Sequence, residues 1–228
     1  MSIYRKIQKL SPYLWSKYSI TIENLNLNPL LMRYFQRNKL ALSFKNKHEY
    51  FKSLATEIIK NNPIQYLKFG VYKGDSIKEW TQLNTNIKSE FYGFDTFSGL
   101  PKDWTYTTKK GKFDLKGNIP TVDDQRVKMI KGIFQETLYP FLKTFTRQYK
   151  MVIHLDADLF SSTLYVLTQL DRFLVNGDIL MFDEFSGLTG EFKAFKDYEE
   201  AYSISPKMIA KVPFNGWICD QVAFYFVK

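Results

Sequence analysis

The chain has 228 residues, of which 45% are hydrophobic and 17% aromatic, and this is enough apolar material for a packed core. A generally disordered protein is therefore excluded. The formal net charge is +9, but residues 1–60 hold 11 Lys and Arg against three acids, while the other 168 residues hold 21 against 20. The positive excess thus belongs to the N-terminal quarter, and the net charge alone does not indicate a nucleic-acid partner.

The cysteine and histidine content limits the chemistry that the chain can carry. With one cysteine, Cys219, no internal disulfide can form, which agrees with a reducing compartment. Two histidines and one cysteine also cannot build a His/Cys zinc cage. No apolar run approaches the roughly 18 residues of a membrane span, and the N-terminus lacks the apolar stretch and cleavage site of a signal peptide. We therefore expect a cytoplasmic protein.

Residues 1–48 are basic and aromatic, with an Asn-rich break at residues 24–29. This composition predicts an N-terminal arm with short helices, ahead of a main domain at residues 49–228. The charge favours docking to a partner subunit, a phosphorylated carrier or an anionic membrane face. We expect a homo-oligomer, a dimer in the simplest case, and peripheral contact with the inner face of a membrane is an open alternative. The aromatic residues would also suit base stacking, but no nucleic-acid-binding signature accompanies them.

The main domain begins with a helical pattern at residues 49–60, and apolar runs then alternate with helical segments. The apolar runs predict strands at residues 64–71, 90–95, 126–131, 149–155 and 177–185. Helical periodicity predicts helices at residues 134–146, 161–175 and 190–202. Such alternation is typical of an α/β fold with a doubly wound, mostly parallel sheet covered on both faces. Two last runs predict a C-terminal antiparallel hairpin, at residues 208–212 and 222–227.

Residues 101–125 have little periodicity and contain many Gly, Thr and Lys residues. A connection of this length in a compact domain is usually functional or disordered. It follows the second predicted strand, where a doubly wound fold would carry a loop over a ligand site. We therefore expect a lid with a local cluster of lysines, Lys109, Lys110, Lys112 and Lys116.

Ligands of an open parallel sheet bind at the carboxyl ends of its strands, so polar residues at those ends are the first candidates for a site. The first strand runs into a G-x-x-x-G turn, with Gly70 and Gly74, that is followed by Ser76. This is not the G-x-G-x-x-G pattern of dinucleotide-binding proteins, and a tight strand-to-helix turn has the same residues. Asp95 lies 25 residues beyond Gly70, about where an acid binds ribose hydroxyls in this fold type, and a strand-end cap is an equal alternative.

Acidic residues end the two most apolar strands, with Asp156 after the fourth run and Asp183 and Glu184 in the fifth. Carboxylates at such a position repel each other unless something positive lies between them. Their oxygen atoms suit Mg²⁺, Ca²⁺ or Mn²⁺, so these three residues favour a metal site over helix caps and surface acids. Asp158 precedes three hydroxyl residues, and either a helix cap or a site role fits it. His154 shares the strand side of Asp156, as a general base or, more commonly for such a histidine, as a hydrogen-bonded core residue.

Five segments in this order resemble the macrocin/mycinamicin sugar O-methyltransferase family: YLKFGVYKGDS, FYGFDTFSGLPKDW, KGIFQETL, VIHLDADLFSST and GDILMFDEF. The resemblance covers roughly residues 50–225. It implies a class I S-adenosylmethionine-dependent O-methyltransferase on a Rossmann-like sheet, which acts on a sugar hydroxyl of a glycan or a glycosylated metabolite. The residues that would cradle the methionine part of the cofactor are Gly70, Val71, Tyr72, Gly74 and Ser76. The resemblance further implies a ribose contact at Asp95 and Mg²⁺ ligands at Asp156, Asp183 and Glu184.

The chain departs from the family pattern at two points. Lys68 stands where class I methyltransferases usually carry an acid near the end of the first strand, and the metal pair is Asp-Glu where macrolide enzymes tend to have two aspartates. In the implied mechanism the metal would lower the pKa of an acceptor hydroxyl, and Asp156 or His154 would take its proton. Because Lys68 and the basic arm are unusual for such an enzyme, a non-catalytic S-adenosylmethionine-binding or scaffold protein of the same fold is the alternative function.

Overall fold

The computed structural model describes residues 28–105, 107–215 and 218–228. Its helices are α1 (28–37), α2 (Lys47–Ser53), α3 (Asp75–Leu83), α4 (Phe134–Thr144), α5 (Phe160–Leu170) and α6 (Lys193–Ala201). Its strands are β1 (Leu42–Ser43), β2 (Ile64–Phe69), β3 (Glu90–Asp95), β4 (Val127–Lys131), β5 (Lys150–Leu155), β6 (Ile179–Phe182), β7 (Lys207–Asn215) and β8 (Ile218–Tyr225). A π-helical segment follows α2 (Leu54–Ile59), a second precedes α6 (Leu188–Phe192), and a 3₁₀ turn follows α5 (Asp171–Phe173).

The strands form one eight-stranded sheet in the order β1-β7-β8-β6-β5-β2-β3-β4. β2 to β6 run parallel, and β8 is antiparallel to both β6 and β7. Helices α3, α4 and α5 join β2 to β3, β4 to β5 and β5 to β6, as parallel neighbours require a crossover. The predicted α/β fold with a mostly parallel sheet and a C-terminal antiparallel pair is confirmed. Its winding reverses between β2 and β5, which is where such sheets bind ligands.

Helices cover both faces of the sheet because successive strand residues point to opposite sides. In β2, Leu67 and Phe69 belong to one buried cluster, which packs against α1, α4, α5 and α6. Ile64 and Tyr66 belong to the other, which packs against α2, its π-helical extension and α3. Lys68 follows Ile64 and Tyr66 at even positions of the strand, so its side chain points to the same face, toward α2 and α3. This side chain is buried, with 1% exposed, although it is charged.

The described part of the predicted arm contacts the main domain. Leu31 and Phe35 of α1 are buried in the first cluster. β1 pairs in parallel with β7, with Leu42 opposite Ala210. Residues 1–27, which contain the rest of the predicted arm, lie outside the described residues. Within the described ranges, no helix is both long and apolar enough to cross a bilayer.

Candidate active site

A cavity of about 270 Å³ lies at the carboxyl ends of the parallel strands. Gly70 and Tyr72 line it from the turn after β2, and Asp95 lines it from the end of β3. Asp156 and Glu184 line it from the ends of β5 and β6. The cavity therefore brings three of the predicted cofactor residues together with two of the predicted acids.

Gly70 lies where the turn after β2 approaches β5 most closely. Its φ is +90°, and a Cβ atom at this position would lie 1.9 Å from the backbone oxygen of Asp156. Glycine is the residue that suits both this backbone angle and this spacing. The predicted cofactor turn is therefore in direct contact with the backbone of the acidic strand end.

Asp95 holds the same turn through its carboxylate. The backbone N–H groups of Val71 and Tyr72 donate to Asp95 Oδ2 at 2.7 and 2.8 Å, and the N–H of Phe97 donates to Oδ1 at 2.7 Å. Hydrogen bonds to an ionised acceptor are shorter and stronger than bonds to a neutral one. Asp95 thus ties the end of β3 to the turn, and the ribose contact predicted for it stays a prediction.

Val71, Gly74 and Ser76 shape the turn but are not among the residues that line the cavity. Val71 is buried, and its carbonyl oxygen accepts a hydrogen bond from the N–H of Gly74 at 2.9 Å. Gly74, with a φ of +84°, precedes the first residue of α3, and Ser76 lies in the first turn of that helix. The cofactor contacts predicted for these three residues stay predictions.

Three side chains converge at the ends of β5 and β6 on the α2 side of the sheet. His154, Asp156 and Asp183 each offer a ligand atom, and these atoms lie within 4.8 Å of one another. Glu184, the third acid predicted to bind metal, is not part of this group and lines the cavity instead. The structure therefore brings together two of the three predicted metal ligands and adds His154, which the sequence indicated as a base or a core residue.

Two lysines already bind the carboxylates of this group. Lys68 Nζ lies 2.8 Å from Asp156 Oδ2, and Lys47 Nζ lies 2.7 Å from Asp183 Oδ2. Burial raises the pKa of Asp156, although Lys68 opposes this effect. Burial also acts to raise the pKa of Asp183, but the contacts with His154 and Lys47 outweigh it and hold that pKa below its ordinary value. Removing one partner from a buried ion pair costs roughly 3–5 kcal/mol, so the Lys68 pair is not easily broken.

His154 is buried beneath the cavity rather than exposed in it. Its Nδ1 lies 2.6 Å from Tyr66 Oη, and its Nε2 lies 3.7 Å from Asp183 Oδ1. Burial and the charge of Lys68 lower the pKa of His154 to about 3, so the imidazole is neutral at physiological pH. This environment is that of a hydrogen-bonded core histidine, and the general-base role stays a prediction.

Asp158 and Glu184 are two acids of the cavity whose pKa values are raised toward neutrality. Asp158 does not cap α5, because that helix begins after Leu159 without a side-chain cap. Burial and the charge of Asp156 raise the pKa of Asp158 to about 8. Burial and the charge of Asp220 raise the pKa of Glu184 to about 7. The site role that the sequence left open for Asp158 is therefore the one that its position favours.

Glu191 is a site residue that the sequence analysis did not indicate. It is fully buried, and its two carboxylate oxygens accept hydrogen bonds from the N–H groups of Ala157 at 3.1 Å and Glu184 at 3.0 Å. It therefore joins the loop after β5 to the loop after β6. A backbone kink at Gly190, with φ −105° and ψ −113°, precedes it inside the π-helical segment, and the regular helix α6 begins only at Lys193.

The predicted lid lies against the cavity. Ser98 forms an antiparallel bridge with Asp114, which closes the loop at its base. Trp104 lines the cavity, and the ring of Phe113 contacts that of Tyr72 at 5.5 Å between centroids. The loop thus contacts the predicted cofactor turn through an aromatic pair, and both rings remain partly exposed to solvent.

In the group of His154, Asp156 and Asp183, the donor atoms favour the predicted magnesium ion and the neighbouring charges oppose it. The spacing of the donors is suitable, and Asp183 Oδ1 is buried without a hydrogen-bond partner in the described part of the chain. However, Mg²⁺ is held by carboxylate and water oxygens, and one oxygen of each aspartate is bound to an ammonium group. Because the nearby ammonium groups would repel a cation, the site as a whole does not fit Mg²⁺.

Three solved structures of similar fold are distant in sequence. The calicheamicin methyltransferase CalS11 is 20% identical, with 90% of this chain and 85% of that chain covered and a TM-score of 0.61. The O-methyltransferase NovP is 18% identical, with 80% of each chain covered and a TM-score of 0.59. CmcI, in a structure described as Mg-SAM, is 16% identical, with 81% and 73% covered and a TM-score of 0.52. At these identities the likeness shows the fold.

The family follows from the sequence comparison. No curated protein matches the chain. The sequence model of the macrocin-O-methyltransferase (TylF) family matches residues 43–218, which include the cofactor turn, the lid and every acid of the cavity. The chain therefore belongs to the macrocin O-methyltransferase family and is an S-adenosylmethionine-dependent O-methyltransferase.

Proposed function

We propose that this enzyme methylates a hydroxyl of a sugar, carried on a glycan or a glycosylated metabolite. The observation that carries the proposal is the cavity itself, in which the turn held by Asp95 faces Asp156, Asp158 and Glu184. A methyl donor on the turn would bring its reactive end toward acids that can take a proton. Most of the rate would come from this positioning.

The transfer requires a proton acceptor beside the acceptor hydroxyl. S-adenosylmethionine supplies a sulfonium methyl, and as the C–O bond forms and the C–S bond breaks, the hydroxyl proton must pass to the protein. Asp156 is the first candidate, because Lys68 fixes its Oδ2 while its side chain is 30% exposed in the cavity. Asp158 is the second, since a pKa of about 8 makes it a stronger base than an ordinary aspartate. His154, which is covered by the sheet and α2, would need a bridging water.

A sugar on a phosphorylated carrier is the acceptor class that the surroundings of the cavity favour. A CalS11 structure is described as that of a TDP-rhamnose 3'-O-methyltransferase. In this chain, residues 101–118 of the lid carry five lysines against two acids. Such a positive surface would attract phosphate groups near the mouth of the cavity.

The Mg²⁺ expected from the sequence is not part of the proposed function. The description of CmcI with Mg and SAM favours it, and the two ammonium groups at Asp156 and Asp183 oppose it. The proton-transfer step above therefore uses no metal ion.

The function is tested by transfer of a labelled methyl group from S-adenosylmethionine to a panel of TDP-linked and lipid-linked sugars and to fractionated extract, with mass spectrometry of the product. Asp156→Asn should lower kcat/KM by roughly 100-fold or more. Asp197→Asn, in the part-buried i,i+4 pair with Lys193 outside the cavity, is the control that should leave it unchanged. Labelling of RNA, DNA or protein instead of a sugar would refute the acceptor class.

The homodimer, the membrane contact and the cytoplasmic location stay predictions. Residues 1–27 are outside the described ranges, so their role is best tested by deleting them. If the basic segment docks the enzyme, the deletion should change the number of subunits per particle in light scattering, or the fraction of enzyme that sediments with anionic vesicles. It should leave the affinity for S-adenosylhomocysteine unchanged. A loss of that affinity instead would place the segment at the cofactor site.

A further inference from the structure

Lys68 is a charged residue in the middle of a fully buried strand. All six residues of β2 are buried, and the Lys68 side chain is 1% exposed. The strand register pairs Lys68 with His154, and Asp156 follows two residues later on the same face. The lysine side chain therefore extends along the sheet toward its carboxyl end and reaches Asp156 Oδ2 at 2.8 Å. The pairing of β2 with β5 therefore places this ammonium group beside Asp156.

Lys47 reaches the neighbouring carboxylate from the helix above the sheet. It is the first residue of α2, whose start is fixed by Asn46, since the Asn46 side chain accepts a hydrogen bond from the N–H of Glu49 at 2.9 Å. Its Nζ lies 2.7 Å from Asp183 Oδ2 and 5.5 Å from the centre of the Phe51 ring. Both ammonium groups thus come from regular elements that the fold holds in place.

The two lysines balance the charge of the two aspartates without an ion. An ammonium group can only donate hydrogen bonds, so it cannot be a metal ligand, and each lysine already occupies one carboxylate oxygen of its aspartate. A divalent cation at Asp156 and Asp183 would add two positive charges to a group that is already neutral. It would also lie next to the ammonium of Lys68, which is covered by the sheet and cannot turn to solvent.

We propose that Lys68 and Lys47 take the place of a divalent cation in this enzyme, so that methyl transfer needs no metal ion. This inference rests on the proposed function and specifies how its site is neutralised. Lys68 is a positioning residue, because it acts through Asp156 and does not line the cavity. It fixes one oxygen of Asp156 and leaves the exposed edge of that carboxylate toward the acceptor. Lys47 holds Asp183 in the same way.

The test is a calorimetric titration of the full chain with Mn²⁺, on the wild type, Lys68→Met and Lys193→Met. Methionine keeps much of the side-chain volume and removes the charge. Lys193 binds Asp197 on α6 and is the matched control, a lysine paired with an aspartate outside the site. We expect no binding in the wild type or Lys193→Met, and binding stronger by roughly tenfold or more in Lys68→Met, because two carboxylates then share one ammonium group. Asp156→Asn added to Lys68→Met should abolish the gain.

Two results would overturn the proposal. One is Mn²⁺ binding by the wild type as tight as that of Lys68→Met, and the other is methyl transfer that EDTA abolishes and Mg²⁺ restores. If Lys68→Met does not fold, Lys47→Met carries the same expectation at a position whose side chain is 33% exposed. The titration uses no acceptor, so it decides the role of the lysines even when no sugar is methylated. Cofactor binding without any methylated sugar would overturn the proposed function instead.

Discussion

Replacing Gly70 by alanine tests whether the contact between β2 and β5 sets the cofactor turn. The new Cβ atom would lie 1.9 Å from the backbone oxygen and 2.9 Å from the carbonyl carbon of Asp156. Ordinary non-bonded contacts are about 3.5 Å, so the turn or the end of β5 must move by roughly 1.5 Å. Because the neighbour is backbone, no side-chain rotation relieves the overlap.

The magnitude has two parts that a second glycine separates. A left-handed backbone angle costs an alanine about 1–2 kcal/mol, and the overlap adds about 1–3 kcal/mol. Gly111 on the lid has a φ of +83°, against +90° at Gly70, and its Cβ would meet no atom within 4 Å. Gly111→Ala should therefore lose only the cost of the backbone angle, about 1–2 kcal/mol of unfolding free energy. Gly70→Ala should lose both costs, about 2–5 kcal/mol.

The assays are urea unfolding followed by circular dichroism and calorimetric binding of S-adenosylhomocysteine. We expect Gly70→Ala to weaken that binding by roughly tenfold or more, because the turn moves away from the cavity, and Gly111→Ala to change it by about twofold at most. Equal destabilisation by the two alanines, or unchanged affinity in Gly70→Ala, would refute the reasoning that this close approach positions the turn.

Three further variants test the other contacts of the site. Asp95→Ala removes the acceptor of three N–H groups, so unfolding free energy should fall by about 1.5–3 kcal/mol in urea and S-adenosylhomocysteine affinity should fall with it. The pKa of Asp158 is about 8, so if Asp158 rather than Asp156 takes the proton, kcat should rise with pH through that value and Asp158→Asn should abolish the rise. The unfolded chain releases the Asp158 proton near pH 4, so the free energy of unfolding should fall between about pH 4 and 8 in the wild type and not in the variant. Glu191→Gln turns one acceptor into a donor facing an N–H group and should cost about 1–3 kcal/mol, whereas Glu200→Gln on the exposed side of α6 should cost nothing measurable.

The fold was predictable because buried parallel strands appear as continuous apolar runs. All five runs of the main domain correspond to strands β2 to β6, and the two last runs correspond to β7 and β8. The helix predicted at 190–202 begins instead at Lys193. The reason is the kink at Gly190, where a Cβ atom would lie 2.6 Å from the backbone oxygen of Asp158. A helical period cannot reveal such a contact between distant segments.

The site was predictable only in part, for the same physical reason. Acids at strand ends could be recognised from their place along the chain, since the carboxyl ends of parallel strands meet at one edge. The partners of those acids could not. Lys47 is 136 residues from Asp183, and Lys68 is 88 residues from Asp156. Lys68 was visible as a departure from the family pattern, but only the strand register shows which carboxylate it binds.

The charge of Lys68 connects the metal requirement with the pH dependence of the reaction. Burial and neighbouring acids raise the pKa of Asp158 to about 8, and Lys68 acts against them. Lys68→Met should therefore move the rise of kcat to higher pH, and Lys193→Met should leave it in place. If the lysine does the work of a cation, Mg²⁺ added to Lys68→Met should return the profile toward that of the wild type, because either positive charge favours the ionised carboxylate. A profile that Lys68→Met does not move would mean that burial and the neighbouring acids set the pKa of Asp158 without the lysine, and that the lysine only holds Asp156 in place.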